Sequence, residues 1–298
     1  MSEKPVIGFL GLGHMGLPMA INLHRAGYRL KAFDVVPAAL EAAQAAGIET
    51  VSAGADAAQD VDIVLTMFPT GQHVLDAYRG YLLETAKDNT LFLECSTIDV
   101  AQAREAAQLA VDAGHRSADA PVSGGVVGAE AGSLTFMLGA DQSDLAQINP
   151  VLEVMGKKIV HCGGHGAGQA AKVCNNMLLG ISMIGAAEAF VLGERLGLEH
   201  QALYDVISSA SGQCWAVTTN CPVPGPVPTS PANRDYQPGF AAALMAKDLG
   251  LASSALDNAQ TDAKLGSLAA ALYRKFSDEG NAGTDFSGVI NAIRDGSL

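Results

Sequence analysis

Basic residues are scarce in this 298-residue chain: 18 Lys and Arg stand against 31 Asp and Glu, for a net charge of -13 at pH 7. A nucleic-acid binder concentrates positive charge to displace counterions from phosphate, and no Lys/Arg run is present to do so, which argues against a nucleic-acid partner. Cysteine is sparse too. Cys95, Cys162, Cys174, Cys214 and Cys221 form neither a Cys-x-x-Cys pair nor a metal-ligand spacing with histidine. That argues against a metal site and fits reduced thiols in a cytoplasmic protein. Long hydrophobic runs are missing as well. The longest, Met177 to Ala187, is too short to span a bilayer and ends at Glu188, so no membrane partner is expected. The opening Met-Ser-Glu-Lys-Pro leads at once into a glycine-rich strand and turn, unlike a secretory signal. Charged residues make up only 16% of a chain that is 49% hydrophobic, the balance of a compact globular protein with room for two domains.

Strand-like and helix-like runs alternate through the first half. Val6–Leu10, Leu30–Asp34, Val61–Met67, Leu91–Cys95, Arg116–Asp119 and Leu134–Leu138 read as strands, with amphipathic patterns at Leu17–Ala26, Ala38–Ala46 and Val100–Ala113 between them. Such alternation calls for an α/β domain with a mostly parallel sheet and right-handed crossovers, placed here at residues 1–163. Beyond Gly163-Gly-His-Gly-Ala-Gly168 no further strand is evident and the helical runs lengthen: Gln169–Leu196, Gln201–Ala210, Phe240–Asn258 and Lys264–Phe276. Residues 164–298 therefore read as an all-helical second domain, with Gln169–Leu196 as a buried connecting helix. The Pro-rich run Pro222–Pro231 cannot be helix and is either a rigid surface loop or a lid.

The segment Gly11-Leu12-Gly13-His14-Met15-Gly16 lies directly between the first strand and the first helical run. That context suits a dinucleotide fingerprint, with a tight turn at Gly11, bare backbone for a pyrophosphate at Gly13, and close helix–strand contact at Gly16. The helix N-terminus adds free N–H groups and a positive dipole end. The second strand ends in Asp34, eighteen residues past Gly16, where a carboxylate would accept hydrogen bonds from ribose hydroxyls and repel a 2′-phosphate. Val35 and Val36 follow, with no arginine beside it, so NAD is favoured over NADP. Asp34 as a simple turn former before Pro37 is the alternative.

Two further segments carry chemistry. Asp119-Ala-Pro-Val-Ser123-Gly124-Gly125 places a hydroxyl and two bare N–H groups at a strand end, donors suited to a carboxylate, or else is an ordinary Pro/Gly turn. Gly166-Ala-Gly168-Gln-Ala-Ala-Lys172-Val-Cys-Asn175-Asn176 sets a lysine and an amide four residues apart, on one face of a helix. A lysine on an apolar helix face is ordinarily a snorkelling charge. In a dry pocket with cations nearby, its amine is lowered toward working pH and becomes a proton carrier.

Taken in order, Gly11-x-Gly13-x-x-Gly16, Asp119–Gly125, Gly163-x-x-Gly166-x-Gly168-x-x-x-Lys172-x-x-x-Asn176 and Lys247-Asp248-Leu-Gly-Leu-Ala resemble the β-hydroxyacid dehydrogenase family over nearly the whole chain. The likeness is strongest to its branch acting on 3-hydroxyisobutyrate, serine-oxidising relatives included. The resemblance implies a Rossmann-type first domain, an all-helical second domain, and a small β-hydroxy acid held in the cleft between them. It makes Lys172 the catalytic acid/base and assigns Ser123, Gly124, Gly125, Asn176, Lys247 and Asp248 to the substrate, with Lys247 also near the nicotinamide. Phe68-Pro69 matches its Leu-Pro step and Thr97 its Ser-Thr-Ile threonine, both on the cofactor side. His73 stands where asparagine is usual beside the nicotinamide ribose, a departure.

The implied reaction is NAD-dependent oxidation of 3-hydroxyisobutyrate to methylmalonate semialdehyde, a step of valine breakdown. Trp215 matches a tryptophan over the substrate pocket, though a lone tryptophan is also a common core residue. Asn220 replaces a tyrosine found in serine-oxidising relatives, which moves the reading from serine toward 3-hydroxyisobutyrate. Serine dehydrogenase and tartronate semialdehyde reductase remain alternatives within the family. An imine reductase commonly lacks the lysine, and a non-catalytic NAD-binding scaffold would have no need of it. A homodimer or homotetramer is implied by family likeness and by the amount of small apolar helix surface.

Overall fold

The computed structural model describes residues 4–298. These divide into two compact units, one ending at Lys172 and the other running from Val173 to Leu298.

In the first unit, β1 (Val6–Leu10), β2 (Arg29–Phe33), β3 (Ile63–Thr66), β4 (Leu91–Glu94) and β5 (Arg116–Asp119) pair in parallel in the order β2-β1-β3-β4-β5. The sheet continues through β7 (Leu134–Ala140), antiparallel to both β5 and the short β6 (Val122–Ser123). The last strand, β8 (Gly156–Gly163), runs parallel to β7. Helices α1 (Gly16–Arg25), α2 (Pro37–Ala45), α3 (Gly54–Ala58), α4 (Gly71–Ala77), the single turn α5 (Leu83–Thr85), α6 (Val100–Asp112), α7 (Gly125–Glu130) and α8 (Leu145–Met155) fill the connections.

Strand period two sorts the apolar residues onto the two faces. Ile7, Phe9, Ile63, Leu65, Leu91 and Leu93 join Met19, Leu23, Val151 and Leu152 of α1 and α8 in one core. The alternate positions Leu10, Val64 and Phe92 join Ala57, Val74, Leu75 and Ala106 of α3, α4 and α6 in another. Both faces are thus covered, as a parallel sheet requires. Strand β8 escaped the sequence reading because Lys157 and Lys158 break its apolar pattern. Both are exposed, the composition that keeps a sheet edge from pairing with other chains.

Helix α9 (Ala167–Arg195) is one continuous element of 29 residues, and the division between units falls inside it. The sequence places the boundary at 163/164. The difference arises because the start of α9 is bonded to the first unit: the N–H groups of Gly166 and Gln169 both donate to Asp119 at the end of β5. With a mean hydropathy of 1.5 in an 18-residue window, α9 is long and apolar enough to cross a membrane by length and composition, which the Met177–Ala187 run taken alone is not. Half of that window is buried inside the protein, and a core helix meets the same two criteria.

The second unit contains the rest of α9 with α10 (His200–Ser209), α11 (Trp215–Thr218), α12 (Ala242–Asn258), α13 (Lys264–Phe276) and α14 (Val289–Asp295), and it has no strand among the described residues. Its core gathers Met183, Phe190, Met245, Leu249, Tyr273, Phe276 and Phe286. The Pro-rich run is pinned at several points. Ser230 Oγ donates to Cys221 C=O, Asn233 Oδ1 accepts from Gly225 N–H, and Tyr236 donates to Pro222 C=O at 2.9 Å. Val223 and Val227 are buried, so this is a fixed loop packed partly into the core.

Candidate active site

The turn between β1 and α1 has the shape its glycines demand. Gly11 adopts φ +95°, and a Cβ there would meet the Met67 carbonyl oxygen at 2.2 Å, while one on Gly16 would meet the Gly11 carbonyl oxygen at 1.9 Å. Nothing lies within 4 Å of a Cβ built on Gly13, and Gly13 and His14 are exposed while Leu12 is buried. Helix α1 has no side chain capping its N-terminus. The bare backbone at Gly13 therefore faces open space where a pyrophosphate fits, whereas in the first turn of α1 the N–H groups of Leu17 and Met19 already donate to Gly13 and Met15 C=O and Pro18 has none. Met15 is half-buried at the helix start.

Asp34, just past β2, braces this turn. Its Oδ2 accepts from Leu12 N–H at 2.6 Å and its Oδ1 from Val36 N–H at 2.8 Å. The turn-forming role is thus real. It leaves lone pairs on both oxygens for ribose hydroxyls, since a carboxylate accepts about four hydrogen bonds.

The next strand ends follow in order. Phe68 and Pro69 leave β3, and Phe68 N–H donates to Ser96 Oγ at 2.7 Å. Thr70 caps α4, and its hydroxyl lies 2.6 Å from His73 Nδ1, so the unusual histidine is oriented by the cap. Thr97 is half-buried between β4 and α6. Past β5, Ser123 occupies β6, and Gly124 and Gly125 take φ +135° and +62°, a left-handed backbone that glycine alone adopts easily. Their N–H groups open α7.

Two buried carboxylates lie behind these loops in register, Glu94 closing β4 and Asp119 closing β5. Glu94 Oε1 accepts from Ser96 N–H at 2.8 Å and from Thr66 Oγ1 at 3.4 Å. Burial pushes the Glu94 carboxyl up to about 7, against the hydrogen bonds from Ser96 and with some help from the Asp119 charge. Burial also raises Asp119, opposed by the N–H groups of Gln169 in α9 and of Gly166 just before it. A carboxylate is well placed there, because it meets the positive end of a long helix. Sequence reasoning missed Glu94, Ser96 and Gln169. A glutamate closing an otherwise apolar strand was the available signal.

Asp119 and Gly168 fix how α9 starts. A Cβ on Gly168 would meet the Met137 carbonyl oxygen at 2.2 Å, so only glycine lets the helix approach β7 this closely. One turn on, Lys172 is 7% exposed. Asn176 is a further turn along, buried, and its Nδ2 donates to the buried Asp248 of α12 while its Oδ1 accepts from Asn175 at 2.9 Å. The second unit thus brings together Asn176 and Asp248, which the sequence separates by 72 residues. Lys247 is half-buried on α12. Trp215, at the start of α11, is 51% exposed and so is not a core residue. Asn220 is buried, its amide donating to Asp285 Oδ1 at 3.3 Å.

Residues 6–164 match the family model of the NAD-binding domain of 6-phosphogluconate dehydrogenase, and residues 166–293 match the model described as NAD-binding of NADP-dependent 3-hydroxyisobutyrate dehydrogenase. A probable 3-hydroxyisobutyrate dehydrogenase of Mycobacterium tuberculosis is 54% identical over 97% of both chains. The chain belongs to the β-hydroxyacid dehydrogenase family. Among other members, an NAD-dependent L-serine dehydrogenase of Pseudomonas aeruginosa is 48% identical over 95% of this chain and 96% of its own. A structure of M. tuberculosis 3-hydroxyisobutyrate dehydrogenase with L-serine superimposes with a TM-score of 0.96 at 53% identity, over 98% of this chain and all of the other. Family membership makes the protein a dehydrogenase with NAD as cofactor, and the residues from Gly11 to Gly16 with Asp34 fit that group.

Proposed function

We propose that this family member oxidises 3-hydroxyisobutyrate to methylmalonate semialdehyde, a step of valine breakdown, and that Lys172 is its general acid/base. The observation that carries the reading is the buried lysine one turn into a helix whose start is fixed by Asp119 and Gly168, with Asn176 one turn further on.

When bound, NAD supplies the hydride acceptor, held by Gly11–Gly16 and Asp34 with Phe68, Pro69, His73 and Thr97 on the nicotinamide side. The chain's residues do the rest. Ser123 Oγ–H and the N–H groups of Gly124 and Gly125 donate to the substrate carboxylate, fixing the β-carbon. Lys172 Nζ, as the neutral amine, takes the hydroxyl proton while the C–H bond gives up its electron pair as hydride and the C–O bond becomes C=O. Asn176 holds the hydroxyl oxygen, its amide turned by Asp248. Lys247 adds positive charge near the reacting end, and Trp215 contributes an exposed ring beside the substrate. General acid/base groups of this kind contribute about 10²–10⁴-fold.

L-Serine is the second reading, favoured by the name of the Pseudomonas relative. Asn220 no longer separates the two cleanly, because its amide is occupied by Asp285. The test is NAD reduction with purified protein across both 3-hydroxyisobutyrate enantiomers, L-serine, 3-hydroxypropionate and glycerate, with Lys172→Ala alongside. A higher kcat/KM for 3-hydroxyisobutyrate, lost in the variant, supports the reading. A preference for serine, or full turnover by Lys172→Ala, defeats it.

A further inference from the structure

The proposed chemistry gives the fully buried Gln169 no task. Gln169 lies in the first turn of α9, three residues before Lys172, with no exposed surface. Both ends of its amide are taken by one short stretch of chain between β4 and α6. Nε2 donates to the Ser96 carbonyl at 2.7 Å, and Oε1 accepts from Ile98 N–H at 3.2 Å. Two peptide groups outside the sheet ladder are thereby satisfied by a side chain more than 70 residues away in sequence. The same serine reaches the neighbouring strand end, since its Oγ accepts from Phe68 N–H and its own N–H donates to Glu94. The backbone N–H of Gln169 is held in turn by Asp119.

We infer that Gln169 is a positioning residue: its amide locks the Phe68 and Ser96–Ile98 strand ends to the helical turn that presents Lys172. The inference rests on the role given to Lys172 above and extends it to the group that sets where the lysine stands relative to the nicotinamide side. An amide offers a donor to a carbonyl and an acceptor to an N–H together at any pH, whereas a carboxyl of the same length donates only when protonated. Losing it leaves both backbone groups buried without partners and frees the segment to drift. A misplacement of about 1 Å between reacting groups costs on the order of 100-fold in rate.

The test uses Gln169→Met and Gln169→Glu in the full-length protein. In Gln169→Met, amide exchange in the cofactor-free protein should rise at least about tenfold in the peptide spanning Ser96–Ile98 while β1 and β3 keep their protection. With NAD and 3-hydroxyisobutyrate, kcat should fall about 30- to 100-fold with KM changed by less than about threefold. Gln169→Glu should recover as pH is lowered, its kcat relative to wild type rising about tenfold, because a protonated carboxyl again donates to Ser96. The Met variant, which has no proton to gain, should show a flat ratio and separates positioning from mere filling of space. Should Gln169→Met not fold, the exchange and pH dependence of Gln169→Glu decide the matter. Unchanged exchange at Ser96–Ile98 with unchanged kcat overturns the proposal, as does a loss of kcat accompanied by loss of protection throughout β1–β5. If wild type oxidises no hydroxy acid, the functional reading fails on that count, while the exchange measurements still judge the lock.

Discussion

Replacing Glu94 by glutamine should make the protein's stability less sensitive to pH between about 4.5 and 7. In the unfolded chain this carboxyl titrates at its ordinary 4.5, and in the fold burial holds it near about 7. Between those values the native state binds the extra proton, so raising the pH works against folding. The contribution is therefore complete below 4.5, declines as pH rises, and is gone above about 7. The interval, at about 1.4 kcal/mol per pH unit, amounts to about 3 kcal/mol. Glutamine keeps an oxygen to accept from Ser96 and Thr66 and never ionises. Urea unfolding of wild type and Glu94→Gln at pH 5 and pH 8 isolates the effect, because other titrating groups cancel in the difference. Circular dichroism is the suitable probe, since the lone tryptophan, Trp215, belongs to the other unit. The variant should gain about 2 to 3 kcal/mol on wild type between the two pH values. A difference that stays constant would show that Glu94 keeps its charge in the fold, and the account of its burial would be wrong.

Three further outcomes follow from the same geometry. Lys172→Ala should lower kcat by about 10²–10⁴-fold while leaving NAD affinity, measured by fluorescence titration, within a few-fold; normal turnover would remove the lysine from the proton step. Gly168→Ala should lower stability by about 1–3 kcal/mol in thermal unfolding, although alanine favours helix, because the new Cβ meets the Met137 carbonyl oxygen at 2.2 Å; a stabilised variant would refute the close approach. Asp34→Ala should lower kcat/KM for NAD more than for NADP, and also destabilise the turn by about 1 kcal/mol through the lost bonds to Leu12 and Val36; an unchanged cofactor ratio would confine Asp34 to the turn.

Much of this protein was legible in local pattern. The glycine fingerprint, the acid eighteen residues on, and the alternation of strand and helix runs are short-range features, because strand period, turn conformation and helix entry depend on neighbours in the chain. Lys172 and Asn176 were legible for the same reason, since a helix fixes residues four apart. Local pattern gave out where the sequence is polar but the backbone extended, as in β8, or where a residue's meaning depends on a distant partner. Asn220 and Trp215 show this in opposite senses: the polar residue is buried against Asp285, and the aromatic one stands half in solvent.

The sequence by itself determined the two-part organisation, the dinucleotide turn and the lysine-bearing helix, all of which are written in residues close together. Only the tertiary structure decided that Asp119 holds the start of that helix, that Gln169 spans to Ser96 and Ile98, and that Glu94 carries its proton to about neutral pH. Each of these depends on burial and on groups brought together from strands and helices tens of residues apart, and a side chain's identity shows what bonds it can make, not which partner the fold will bring to it.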